Sequence, residues 1–164
     1  MSRLLIQTAA AAALLVLLWR AFRLSMSLRA DRMQREEERR TEEARGRRVV
    51  AEIASRDGDL YLFLEADDAF LWREHRLAKS EIVGCRLLLN GATMATAARA
   101  DARLPEPALP EEMEGRERWD VRLYRVADAA DVPCGTLREG VSRDAARAVF
   151  EAVSGFLKSV SSPR

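Results

Sequence analysis

The sequence predicts an α+β protein in which a transmembrane helix and a charged helical spacer precede one small antiparallel domain. Three patterns predict it: an apolar run over residues 4–19, an alternation of apolar and polar residues from Val49, and a stripe of apolar residues at helical spacing near the carboxyl end. The domain is expected to be a sheet or partly open barrel of about seven strands, followed by an amphipathic helix. The predicted divisions of the 164 residues are an anchor (1–23), a spacer (24–48), a domain (49–160) and a tail (161–164).

The first apolar run predicts an uncleaved signal anchor that crosses the membrane once. Residues 4–19 carry no charge, and Trp19, Arg20 and Arg23 follow as membrane-interface residues, with Arg3 on the opposite side. A helix over this run extends about 24 Å, which is shorter than the hydrocarbon core of about 30 Å. Residues after the run therefore have to join the span, with Arg20 reaching back to the headgroups.

Two other interpretations of the run stay open, a cleaved signal peptide and a buried core helix. A signal peptide has small residues after its apolar core, whereas the alanines at 9–13 precede the strongest apolar part. The weak cleavage pattern at 25–27 also follows two arginines. A core helix would stand alone beside a charged stretch.

Arginines just after the run predict the orientation of the anchor. Arg20, Arg23, Arg29 and Arg32 follow the run, against Arg3 before it. The positive-inside rule therefore places the domain in the cytoplasm. Arginine far outnumbers lysine and alanine is abundant, which is typical of a GC-rich bacterial genome. The predicted location is thus the bacterial inner membrane.

Composition limits the classes of partner. The formal net charge of +1 gives no bulk attraction to nucleic acid. Two cysteines are too few for a disulfide framework and fit a reducing cytoplasm, although one disulfide in an exported domain stays open. The expected partners are the lipid bilayer and a protein that the sequence does not identify.

The spacer is predicted to be a solvated helix. Its acids and arginines alternate at helical spacing, as with Glu36 four residues before Arg40, and such pairs each add about 0.2–0.5 kcal/mol. A coiled coil would need apolar residues at a and d positions over several heptads, and these are missing. No proline interrupts the helix before Gly46, its first natural stop.

From Val49 the alternation predicts strands joined by turns. Asp57-Gly58 and Asn90-Gly91 are hairpin signals, because these residues tolerate positive φ. In the second strand, leucines 60, 62 and 64 are expected on one face and Tyr61 and Phe63 on the other. The strands are predicted at residues 49–55, 60–65, 69–74, 82–89, 92–97, 119–126 and 132–137.

Two further segments complete the domain. Prolines and acids make residues 99–118 a loop, which is either a partner-binding element or a solvated connector. The closing helix has Ser142 as its expected N-cap and Asp144 near its positive start. Its stripe is expected to face the core and consists of Ala146, Val149, Phe150, Val153, Leu157 and Val160.

The strand order with its closing helix, and the segments LAKSEIVGC (77–85) and LLLNG (87–91), resemble bacterial pleckstrin-homology-like domains. The resemblance covers roughly residues 49–160 and implies a bent sheet or partly closed barrel plugged by the helix. Members that bind phosphoinositides carry a basic cluster at the first hairpin. Here Arg56 stands beside Asp57 and Asp59, so lipid-headgroup binding is not implied.

The sequence contains no recognisable catalytic, cofactor-binding or metal-binding motif. His75 and Cys85 could pair as base and nucleophile, but Cys85 on a central strand is more simply a small buried hydrophobe. The predicted function is therefore a membrane-anchored binding or scaffolding protein without a cofactor, not an enzyme. A small cysteine-dependent enzyme and an exported domain are the alternatives.

Overall fold

The computed structural model describes residues 17–20, 22–23, 26, 33–54, 60–106, 117–136 and 140–161. Contacts divide the chain into two compact units, Met1–Thr41 and Glu42–Arg164. The second unit is α+β, with two antiparallel sheets of four strands each and a C-terminal helix, Val141–Ser161. The strands are β1 (Arg48–Ala54), β2 (Leu60–Glu65), β3 (Ala69–Trp72), β4 (His75–Ala78), β5 (Ile82–Leu89), β6 (Ala92–Ala98), β7 (Trp119–Arg125) and β8 (Ala129–Gly135).

Residues 33–44 are helical and end in a turn at Gly46, which has a positive φ of 77°. Glu36 and Arg40 lie 3.4 Å apart in this helix, and both side chains are exposed. Exposed pairs of this kind contribute only a few tenths of a kcal/mol. After Gly46 the chain enters β1.

The first sheet is a meander in the order β1-β2-β3-β4. Ile53 and Phe63 are fully buried, and Phe63 stacks with Phe70 and Trp72 at ring-centroid distances of 5.6 and 5.8 Å. The core face of β2 is therefore the face of Phe63. The predicted β1–β2 hairpin at Asp57-Gly58 lies outside the described residues.

The predicted third strand, residues 69–74, is too long. Strand β3 ends at Trp72, and residues 73–74 turn the chain directly into β4. Arg73 has a positive φ of 49°, and its guanidinium lies over the Tyr61 ring at 4.5 Å. Arginine gives no turn signal in a sequence, because this conformation is normally taken by glycine or asparagine. The extra strand makes eight strands in the described domain rather than seven.

The second sheet has the order β6-β5-β7-β8, so β5 lies inside it. The predicted hairpin at Asn90-Gly91 is confirmed: both residues have positive φ, 50° and 79°, and join β5 to β6. The Asn90 side-chain oxygen also accepts a hydrogen bond from the Arg118 amide at 2.7 Å. This bond ties the hairpin to the chain that enters β7.

The last predicted strand, residues 132–137, is displaced. Strand β8 begins at Ala129 and ends at Gly135, whose φ is 93°. Pro133 is accommodated because β8 lies at an edge of its sheet, where a missing amide donor is tolerated. Leu137 lies outside the described residues.

The two sheets meet where β8 approaches β1. The Tyr61 hydroxyl donates to the Pro133 carbonyl at 2.6 Å. A Cβ atom on Gly135 would lie 2.7 Å from the Ala54 carbonyl oxygen, so glycine permits this approach. The C-terminal helix packs on both sheets and completes one shared core.

The helix confirms most of the predicted stripe. Ala146, Val149, Val153 and Leu157 are buried, whereas Phe150 is half-buried and Val160 is 54% exposed. The expected N-cap at Ser142 is wrong, because the helix begins at Val141 and Ser142 is buried inside its first turn. Gly140 precedes the helix and accepts a hydrogen bond from the Asp144 amide at 2.8 Å.

Candidate functional site

Three of the four predicted membrane-interface residues are described. Trp19, Arg20 and Arg23 are helical and exposed. The Arg23 guanidinium carbon lies 6.0 Å from the centroid of the Trp19 ring, and Phe22 lies 6.4 Å from the same ring. Arg3 lies outside the described residues.

Large apolar side chains surround these arginines and are exposed: Leu17, Leu18, Trp19 and Phe22 are each more than half accessible. An apolar surface of this kind on a helix is typical of a segment that meets lipid or another protein. Of the helices among the described residues, none is long and apolar enough to cross a membrane.

Both cysteines are free thiols inside the core of the domain. Cys85 is fully buried on β5, and burial raises the pKa of its thiol to about 12. Burial, together with the charge of Asp120, also raises the pKa of the Cys134 thiol. At neutral pH both sulfurs are therefore protonated and are poor nucleophiles.

His75 does not share a site with either thiol. It is exposed at the start of β4 in the first sheet, where its ring lies 5.2 Å from the ring of Trp72. Cys85 faces the core from the second sheet. Within the described part of the chain, no three His, Cys, Asp or Glu side chains are close enough to hold a metal ion.

The face of β5 opposite Cys85 carries a buried guanidinium. Arg86 is 6% exposed and donates to the Tyr124 hydroxyl at 3.0 Å and to the Pro105 carbonyl at 2.5 Å. Its guanidinium carbon also lies 5.2 Å from the centroid of the Tyr124 ring. Arginine is rarely so buried, and this burial depends on the chain that covers it.

That covering chain is residues 99–105, which we call the strap. The Arg99 amide donates to the Val83 carbonyl at 2.9 Å, and its guanidinium donates to the carbonyls of Lys79 and Ser80 at 3.2 and 2.9 Å. Further along, Leu104 lies against Gly84, where a Cβ atom would come within 2.8 Å of its side chain. The described start of the predicted loop is therefore attached to the sheet, while residues 107–116 lie outside the description.

The strap and the turn between β7 and β8 enclose an open cleft of about 590 Å³. Val83 and Tyr124 contribute strand residues to it, and Leu104 contributes an apolar side chain from the strap. The arginines and acids that line the cleft are Arg99, Arg103, Arg125, Asp101 and Asp128. We call this the strap cleft.

A network of charged groups extends along β7 and β8. Asp120 is buried, and this burial raises the pKa of its carboxyl although Arg118 contacts it at 2.7 Å and opposes the shift. Arg122 binds Asp131 on the neighbouring strand through two hydrogen bonds of 2.6 and 2.8 Å. Arg125 pairs with Asp128 across the turn. The charged side chains of β7 are therefore already paired with opposite charges.

No known protein family, curated protein or solved structure matches this chain. The membrane-interface role of Trp19, Arg20 and Arg23 stays a prediction, and the strap cleft was not predicted from the sequence. The sequence shows only Arg86 in the middle of β5 and Gly84 two residues before it. Neither residue indicates a site unless the strap is known to pack on them.

Removing the Tyr124 hydroxyl tests whether Arg86 depends on it. We expect Tyr124→Phe to lower the free energy of unfolding by about 1–3 kcal/mol, because a buried charged donor loses its acceptor. Tyr61→Phe makes the same chemical change but removes a donor to a neutral carbonyl, and should cost less, about 0.5–1.5 kcal/mol. Urea unfolding of the two variants makes the comparison. Equal losses would show that Arg86 does not need this acceptor.

Proposed function

We propose that this protein is a single-pass, membrane-anchored binding or scaffolding protein of the bacterial inner membrane, with its α+β domain in the cytoplasm. The observation that supports it best is the helical segment near Trp19, whose large apolar side chains are exposed beside Arg20 and Arg23. Aromatic and arginine side chains of this kind mark the ends of membrane spans. The domain that follows has its own hydrophobic core.

We further propose that the domain is pleckstrin-homology-like. Two antiparallel sheets that meet at β1 and β8, with the C-terminal helix packed on both, support a bent, partly closed barrel. The hydrogen bond from Tyr61 to Pro133 joins the two sheets at this corner. Such a framework leaves its loops and outer strand faces for binding.

Binding is favoured over cysteine-dependent catalysis by the state of the thiols. A nucleophilic cysteine needs solvent access and a lowered pKa. Cys85 has neither, and His75 is on the other sheet. An accessible thiol in the native protein, blocked rapidly by a maleimide reagent, would favour the enzyme alternative.

Membrane fractionation tests the anchor. The full-length chain should stay in the membrane pellet after carbonate extraction and keep its N-terminus, because its apolar run is more stable in lipid than in water. The double variant Leu14→Arg, Leu15→Arg should be lost from the pellet, since each arginine near the centre of a span costs about 2.5–3.5 kcal/mol. The matched variant Leu14→Ala, Leu15→Ala should be retained. A mature product that begins after about Ser27 would contradict the anchor.

A reporter fused after Arg164 tests the orientation in the same strain. Activity in the cytoplasm and silence in the periplasm are expected from the arginines that follow the run. The opposite result would place the domain outside the cytoplasm and support the exported alternative.

A further inference from the structure

The arginines around the strap are held by neutral acceptors. Among the described residues, neither Arg86 nor Arg99 forms an ion pair with a carboxylate, and the Nε atom of each is buried without a hydrogen-bond partner. Their other contacts are a phenol and backbone carbonyls. Desolvating a charge without an opposite charge is costly. A local excess of positive charge is therefore built into this face of β5.

The strap cleft gives that charge an opening to solvent. Arg86 lies directly behind the cleft, because both of its hydrogen-bond partners, Tyr124 and Pro105, line it. Arg103 is exposed on the same strap and makes no described ion pair. Arg125 is already engaged by Asp128. The cation of the strap that is left for a ligand is thus Arg103.

The remaining walls of the cleft set the size and charge of the ligand. Val83 and Leu104 provide an apolar surface, and the volume of about 590 Å³ falls in the range of small-molecule sites, about 300–1,000 Å³. Asp101, exposed between the two strap arginines, opposes a multiply charged ligand. A ligand with one negative charge and an apolar body satisfies both conditions.

We propose that the strap cleft binds a small organic anion with a single oxyanion group, such as a carboxylate attached to an apolar body. Arg103 is the binding residue, since its exposed guanidinium presents paired donors that match a carboxylate. Arg99, whose guanidinium is held by the carbonyls of Lys79 and Ser80, contributes charge to the wall of the cleft. Arg86 adds its charge from behind the cleft. This proposal rests on the binding role proposed for the domain, and it does not depend on the membrane anchor.

Fluorine NMR on the full-length chain in neutral phosphatidylcholine nanodiscs tests the proposal. The probe is 4-fluorobenzoate, and 4-fluorobenzyl alcohol is its uncharged match. We expect the benzoate to bind at least tenfold more tightly than the alcohol, because a hydrogen bond to a charged group contributes about 1.5–3 kcal/mol. Inorganic phosphate should displace the benzoate only weakly, since it lacks an apolar body. Phosphate that competes as well as benzoate itself would overturn the assigned ligand class.

Variants identify the site. Arg103→Gln should weaken benzoate binding about tenfold, and Arg103→Lys should restore part of it, because lysine keeps the charge but loses the paired donors. Arg76→Gln is the matched control, since Arg76 is an exposed arginine of the first sheet that pairs with Asp68. Equal effects of the two glutamine variants would overturn the proposal, as would equal binding of benzoate and alcohol. Chains that are retained in membranes but show no preference for the benzoate would refute the ligand class and leave the anchor standing.

Discussion

Phe70→Ala is expected to lower the free energy of unfolding by about 3–5 kcal/mol, the range for truncating a buried phenylalanine. Phe70 is fully buried, stacks with Phe63 and meets the Phe156 ring edge-on at 6.3 Å. The Lys79 ammonium lies 5.1 Å from its ring. Phe70 thus joins the first sheet to the C-terminal helix, and its loss leaves a cavity between them.

Urea unfolding of the full-length chain, followed by circular dichroism, measures this loss. Met94→Ala is the control, because Met94 is a large side chain that is 55% exposed on β6 and should change stability by less than about 0.5 kcal/mol. If both variants unfold at the same urea concentration, Phe70 does not hold the helix to the sheet.

The features that sequence predicted well depend on local chemistry. Asn90-Gly91 identified a hairpin because that turn needs two residues with positive φ, and the requirement is met inside the pair itself. The helix stripe was visible for the same reason, since side chains three and four residues apart share a face whatever they pack against.

The turn at residues 73–74 could not be found in this way. Arg73 adopts the left-handed conformation while its guanidinium lies over Tyr61, a residue of another strand. The orientation of β2 was similarly undetermined by its pattern, because Leu62 and Leu64 make one face as apolar as that of Phe63. When both faces of a strand are apolar, alternation does not tell which one is buried.

The strap cleft could not be predicted for the same reason, since it depends on residues that are far apart in the sequence. Arg86 and the carbonyl it binds are 19 residues apart, and Tyr124 is 38 residues away. Arg86 and Cys85 are neighbours in β5 and therefore lie on opposite faces of the sheet. Only the strap, held by Arg99 and seated on Gly84, turns that outer face into a buried one.

Leu157→Ala is the second change with a large expected effect, a loss of about 2–5 kcal/mol in the free energy of unfolding. Leu157 is 1% exposed in the last turns of the C-terminal helix and belongs to the core shared by both sheets. Alanine keeps the helix propensity high, so the loss reports packing and not helix formation.

Val160→Ala is the matched control, one turn further along the same stripe. Val160 is 54% exposed, and its truncation should change stability by less than about 0.5 kcal/mol. The two variants therefore test whether the buried residues of the stripe stabilise the core or whether the stripe only repeats at helical spacing. If Leu157→Ala unfolds at the urea midpoint of the wild type, while the domain stays monomeric and folded, the stripe is a partner surface, and the binding face of this protein has to be sought on its C-terminal helix.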